Sequence, residues 1–166
     1  MKTSQTSAFY VCFKTQVPSI GQPVVFNGAL VVPLELSLEL NTQERKEYLR
    51  AIELFNSKYF WECHEVLEDI WMIKQPPLKT FLQGVIQAAA AFYHVLGENP
   101  KGAIKLAQDS LNKFEKMGES HLGLDLNSLR KSLLTFKNEA QEIIDQKRSF
   151  FTLKDIPVLK LPELEQ

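Results

Sequence analysis

The chain has 166 residues, 45% apolar and 23% charged, enough for one compact domain with a core. Nineteen basic and twenty acidic residues give a net charge of −1, scattered along the chain, so neither nucleic acid nor an acidic membrane surface is an expected partner. The two cysteines make neither a disulfide framework nor a zinc-finger spacing, which fits a reducing cytoplasm.

Residues 1 to about 40 read differently from the rest. Ala8–Phe13 and Val24–Leu40 are rich in β-branched and aromatic residues, punctuated by Pro18, Gly21, Pro23, Gly28 and Pro33. This pattern suggests short strands or an extended arm that packs on its own domain or on another subunit. The apolar run Ala8–Phe13 is too short for a signal-peptide core.

A helical body is expected over residues 41–150. Asn41-Thr-Gln-Glu44 has the spacing of a capping box, starting a helix that runs to about Asn56 with Tyr48, Leu49, Ile52 and Phe55 inward. A second helix spans about Tyr59 to Ile73 and stops at Gln75-Pro76-Pro77. A third, Leu78 to Leu96, is apolar almost all round and ends at Gly97. Such a helix must be covered on its sides, so it is expected at the centre of a bundle rather than across a membrane. A fourth covers about Lys101 to Met117. A loop, Gly118 to Asp125, carries His121, expected in solvent. A fifth, about Leu126 to Lys147, repeats apolar residues in alternating threes and fours. Residues 151–166, with Pro157 and Pro162, read as an extended tail. The fold class is all-α, a multihelical bundle around one central apolar helix, with a non-helical N-terminal extension.

The chemistry concentrates in His64-Glu65-Val66-Leu67-Glu68-Asp69-Ile70-Trp71. At about 100° per residue, Glu68 lies about 40° from His64 and Trp71 about 20° on its other side. They share that face with Phe60 and Leu67, so all three are expected inward. Glu62 and Asp69 point away, and Glu65 falls between, at the edge of a site or in solvent. Cys63 is expected to be packing. On the third helix Gln83, Gln87 and His94 fall within about 40° of one another, a polar stripe on an apolar helix. Another side, Gly84, Ala88, Ala91 and Val95, lets a neighbour approach closely. A short proline turn makes helices two and three antiparallel neighbours, which sets His64 and Glu68 against Gln83, Gln87 and His94.

Three motifs in order carry a family resemblance: Tyr59-Phe-Trp-Glu-Cys-His-Glu-Val-Leu-Glu-Asp-Ile-Trp71, Phe81 to His94, and Gly97-Glu-Asn-Pro-Lys-Gly-Ala103. Over about residues 45 to 117 the chain resembles the bacterial and archaeal family called domain of unknown function number 309. Its signature, His-x3-Glu-x2-Trp or Tyr, is matched by His64, Glu68 and Trp71. The resemblance implies a compact all-helical protein whose signature has been proposed to bind metal, without an established reaction. One departure is Lys58, where members often have glycine.

Three functions are open on these residues. His64 and Glu68 at i and i+4, with His94 as a third ligand, suit a divalent transition metal such as zinc, iron or manganese. Glu65, Trp71, Gln83, Gln87 and Tyr93 would then line the pocket or support the ligands. Alternatively the cluster is structural, a buried network fixing helix register in an interaction or scaffolding module. Such a module could self-associate through the N-terminal arm or a helix face. The third reading is a metal-assisted hydrolase with Glu68 as general base.

Overall fold

The computed structural model describes residues 39–160; residues 1–38 and 161–166 lie outside the described residues, and with them nearly all of the expected N-terminal arm. The helical body follows the expected order: α1 (Thr42–Asn56), α2 (Phe60–Ile73), α3 (Leu78–Leu96), α4 (Pro100–Phe114) and α5 (Leu126–Ile144).

Asn41 caps α1. Its Oδ1 accepts from the N–H groups of Gln43 and Glu44, each at 2.9 Å, and the Glu44 carboxylate accepts from the Asn41 N–H at 2.8 Å. These bonds satisfy donors that have no partner inside the helix. Lys74 Nζ, just past α2, donates to the same carboxylate at 2.6 Å and ties the two helix ends together.

Three helices end alike, and not where glycine would place the turn. Past α1, Lys58 N–H donates to Phe55 C=O and Tyr59 N–H to Leu54 C=O, each at 2.9 Å, with Lys58 at φ 65°. The same pair of bonds closes α3 around Glu98 (φ 51°) and α5 around Gln146 (φ 59°). This is the Schellman arrangement, whose left-handed residue is usually glycine. Gly97 is the residue before it, at φ −83°. The left-handed position at 58 also gives a physical reason for glycine to suit that place.

α3 is the central helix, packed between α2 and α4 and touching α5. Its small-residue side receives α4. Ser110 Oγ donates to the Gly84 carbonyl at 2.7 Å, and a Cβ at residue 84 would lie 2.5 Å from Cε1 of Phe114. Four helices meet through phenylalanine rings in edge-on contact. Phe55 of α1 lies 4.9 Å from Phe60 of α2 and 5.5 Å from Phe92 of α3, which lies 5.4 Å from Phe136 of α5.

The expected loop before α5 holds a small hairpin, β1 (Ser120–His121) paired antiparallel with β2 (Leu124–Asp125). Leu122 (φ 47°) and Gly123 (φ 77°) form its two-residue turn, both left-handed as such turns require. Leu122 is fully buried at the tip. This corrects the expectation for His121: its ring packs 4.5 Å from Phe81, and its Nε2 lies 3.5 Å from Glu39 Oε2. The tail after α5 buries Phe151, makes a 3-10 turn at Leu153–Asp155 and buries Leu159. No described helix is long and apolar enough to cross a membrane.

Candidate functional site

α2 sends Phe60, Cys63, Leu67 and Ile70 into the core. His64, Glu68 and Trp71, expected on the inward face, are half-buried on its flank. The helix has turned so that its apolar i, i+3 and i+7 positions take the centre. Desolvating a carboxylate at position 68 would cost far more than shifting it to the rim. α3 behaves the same way, with Gln83, Gln87 and His94 half-buried along its least covered side. Glu65 is exposed.

His64 Nδ1 lies 4.0 Å from Glu68 Oε2, with the two side chains 22% and 46% exposed. That separation is beyond a hydrogen bond. Trp61, one turn earlier, stacks on the His64 imidazole, with centroids 5.3 Å apart and planes 18° apart. Trp61 also meets Tyr93 of α3 at 5.7 Å. The residues singled out in the sequence omitted Trp61. Its spacing three before His64 on a helix was the available signal. At the other end, Lys79 Nζ sits 4.6 Å over the Trp71 ring.

His94 does not complete a metal centre with His64 and Glu68. Its Nδ1 lies 3.1 Å from Asn99 Nδ2, and its ring rests on Gly102 of α4. His94 occupies the last turn of α3, where the chain folds back into α4, so the polar partner within reach is Asn99. Among the described residues no three His, Cys, Asp or Glu side chains form a metal-holding group. Ligand distances near 2.0–2.1 Å put two tetrahedral ligands of one ion about 3.3 Å apart. The 4.0 Å pair therefore fits such an ion only after closing, and supplies two of its ligands.

The seam between α2 and α3 carries a different signature. His64 Nδ1 and Trp71 Nε1 of α2, and Gln87 Oε1 of α3, are buried without a hydrogen-bond partner. The other such atoms among the described residues are on Glu39, Arg45 and His121. Cys63, beneath His64, is inert: burial pushes its thiol up to about 12. Burial, and then the neighbouring Cys63, also raise the Tyr48 phenol well above its ordinary range.

Beside the seam, Lys58, Tyr59, Trp61, Glu62, Tyr93 and Leu96 line a shallow groove between the start of α2 and the end of α3. Tyr93, expected as a pocket residue, is part of this groove.

Residues 48–106 match the family model described as "Domain of unknown function (DUF309)". An "Uncharacterized protein YpuF" from Bacillus subtilis (strain 168) is 30% identical over 108 residues, 63% of this chain and 62% of its own. An "Uncharacterized protein" from Aquifex aeolicus (strain VF5) is 26% identical over 113 residues, 62% of this chain and 34% of its own. The chain thus spans less than two thirds of the length of each of these curated relatives. Over residues 48–106, which contain His64, Glu68, Trp71, Gln83, Gln87 and His94, the chain resembles the DUF309 family.

Proposed function

We propose that the seam between α2 and α3 binds a small polar molecule. The observation behind this reading is the trio of buried, unpartnered atoms on His64, Trp71 and Gln87. Each unsatisfied buried group costs about 1–3 kcal/mol, so these atoms on the two helices call for partners from outside the chain. Trp71 can only donate, the Gln87 amide oxygen can only accept, and the His64 nitrogen does either according to its tautomer. The occupant therefore presents both an acceptor and a donor. Glu68, 46% exposed, places a carboxylate at the open side.

Native mass spectrometry of gently purified protein, beside a high-resolution crystal structure, tests this. A mass excess lost in His64→Ala and in Gln87→Leu supports the reading. A bare mass, with ordered waters bonded to all three atoms, overturns it. The cluster would then be the register-fixing network of an interaction module.

The His64–Glu68 pair favours a second occupant: zinc, iron or manganese held by these two side chains and by water. Elemental analysis of protein purified without chelator decides it; less than stoichiometric metal sinks it. A role for Glu68 as general base of a metal-assisted hydrolase depends on that ion and falls with it. We place the protein in the cytoplasm on its cysteine usage, without a nucleic-acid partner on its charge. Sedimentation tests self-association through the N-terminal arm or a helix face.

A further inference from the structure

Lys58, Tyr59, Trp61, Glu62, Tyr93 and Leu96 bring aromatic rings and two opposite charges to one groove. Tyr59, Trp61 and Tyr93 are 58%, 51% and 47% exposed. Large rings left in water at one place mark a binding surface. Ring faces carry negative potential, so the charged group they favour is a cation.

His64 stacks on Trp61 and is not part of the groove lining, so the groove meets Trp61 away from the covered face. The Trp61 and Tyr93 planes are inclined at 50° with centroids 5.7 Å apart, an open corner rather than a closed stack. A cation is held by a ring whose centroid lies within about 6 Å, and a corner of this size lets one cation reach both rings. Glu62 adds a carboxylate and Lys58 an ammonium. Among the described residues neither charge has an ion-pair partner, and they do not pair with each other. Lys58 repels a plain cation, whereas a ligand that carries its own anion turns that repulsion into attraction. A bare ammonium holds its water too tightly for open rings to strip. A methylated one is weakly hydrated and brings apolar surface to the rings.

We propose that this groove binds a small free zwitterion in which a methylated ammonium is joined to a carboxylate or a phosphate. The ammonium rests in the corner of Trp61 and Tyr93 with Glu62 as its counter-charge. Tyr59 and Leu96 supply further surface for the methyl groups, and Lys58 takes the anionic end. The groove adjoins the α2–α3 seam and needs no occupant there.

The test is an NMR titration of the full chain, read at the Trp61 indole N–H, which Trp71→Phe assigns because the chain has two tryptophans. Glycine betaine and phosphocholine carry both charges. The tert-butylacetate anion has the shape of betaine without its positive charge, and choline lacks the anion. Both zwitterions are expected to shift the signal saturably, and the two controls to bind at least about fivefold more weakly. Tyr93→Leu and Glu62→Gln should each weaken betaine binding by about threefold or more, with circular dichroism unchanged. Lys58→Gln should weaken the zwitterions and leave choline no weaker. Equal binding of betaine and tert-butylacetate overturns the proposal, because the groove then selects apolar shape alone. The absence of a saturable shift with either zwitterion overturns it too. So does binding to phosphatidylcholine vesicles without binding of free phosphocholine, which assigns the groove to a membrane surface.

Discussion

The imidazole of His94 lies against the α-carbon of Gly102: a Cβ at residue 102 would sit 2.7 Å from Cγ of the ring. Asn99 joins the same corner. Its Oδ1 accepts the Gly102 N–H at 3.0 Å as the cap of α4, while its Nδ2 lies 3.1 Å from His94 Nδ1. His94 therefore serves the junction of α3 and α4.

Gly102→Ala separates these contributions. Overpacking against the ring costs about 1–3 kcal/mol, against a gain of up to about 1 kcal/mol from helix propensity. The single variant should lower the unfolding free energy. In a His94→Ala background the same substitution should raise it, and this reversal is read by urea denaturation of the four proteins of the cycle. Additive effects would show that the ring does not occupy that place in solution.

Lys58 holds a left-handed backbone at φ 65°. Lys58→Gly removes that strain, while the freer unfolded chain opposes the gain. The expected result is a stabilisation of up to about 1 kcal/mol, against a loss for Lys58→Ala or no change. Glu98→Gly and Gln146→Gly, at the equivalent positions of α3 and α5, should follow the same direction in thermal melts.

Burial works to raise the Glu44 carboxyl, but the hydrogen bond from Lys74, the backbone bond from Asn41 and the charge of Lys74 outweigh it. Its folded value lies below the ordinary one. The resulting stability is present above the unfolded value, about 4.3, and is lost as pH falls through the folded value. Glu44→Gln should cost about 1–3 kcal/mol at neutral pH. Its stability curve should also be flatter than the parent's below pH of about 4.3. A parallel pair of curves would remove Glu44 as the titrating group.

Cys63 is fully buried and its thiol is pushed up to about 12 by burial. A thiol held protonated is a poor nucleophile. Alkylation with iodoacetamide at pH 8, followed by peptide mapping, should leave Cys63 unmodified in the folded protein and modify it in urea. Labelling in native buffer at the rate of a free thiol would contradict the packing around α2.

Local chemistry was legible from the sequence alone. Asn41 and Glu44 announce the start of α1, Pro76 and Pro77 the stop before α3, and the spacing of Leu126, Leu129, Leu133 and Phe136 the buried side of α5. Each rests on interactions within a few residues, which sequence spacing encodes directly. Gly84, Ala88 and Ala91 announced a close neighbour, which the fold supplied as α4. Of the expected His64, Glu68, Gln83, Gln87 and His94 cluster, His64 and Glu68 approach to 4.0 Å, while His94 meets Asn99.

What only the tertiary structure decided is how each helix is rotated against its neighbours. A turn of a few tens of degrees moves His64, Glu68 and Trp71 from the inward face to its rim. Helical spacing cannot fix that angle, because it is set by how the rings of Phe55, Phe60, Phe92 and Phe136, from four helices, fit together. The partner of His94 was decided the same way. The sequence placed it on the right stripe, but the fold-back of α4 brought Asn99 and Gly102 to it first. Trp61, which helical spacing left unassigned, became the neighbour of His64 because stacking needs a partner in space, and spacing in the chain does not say which neighbour it will be.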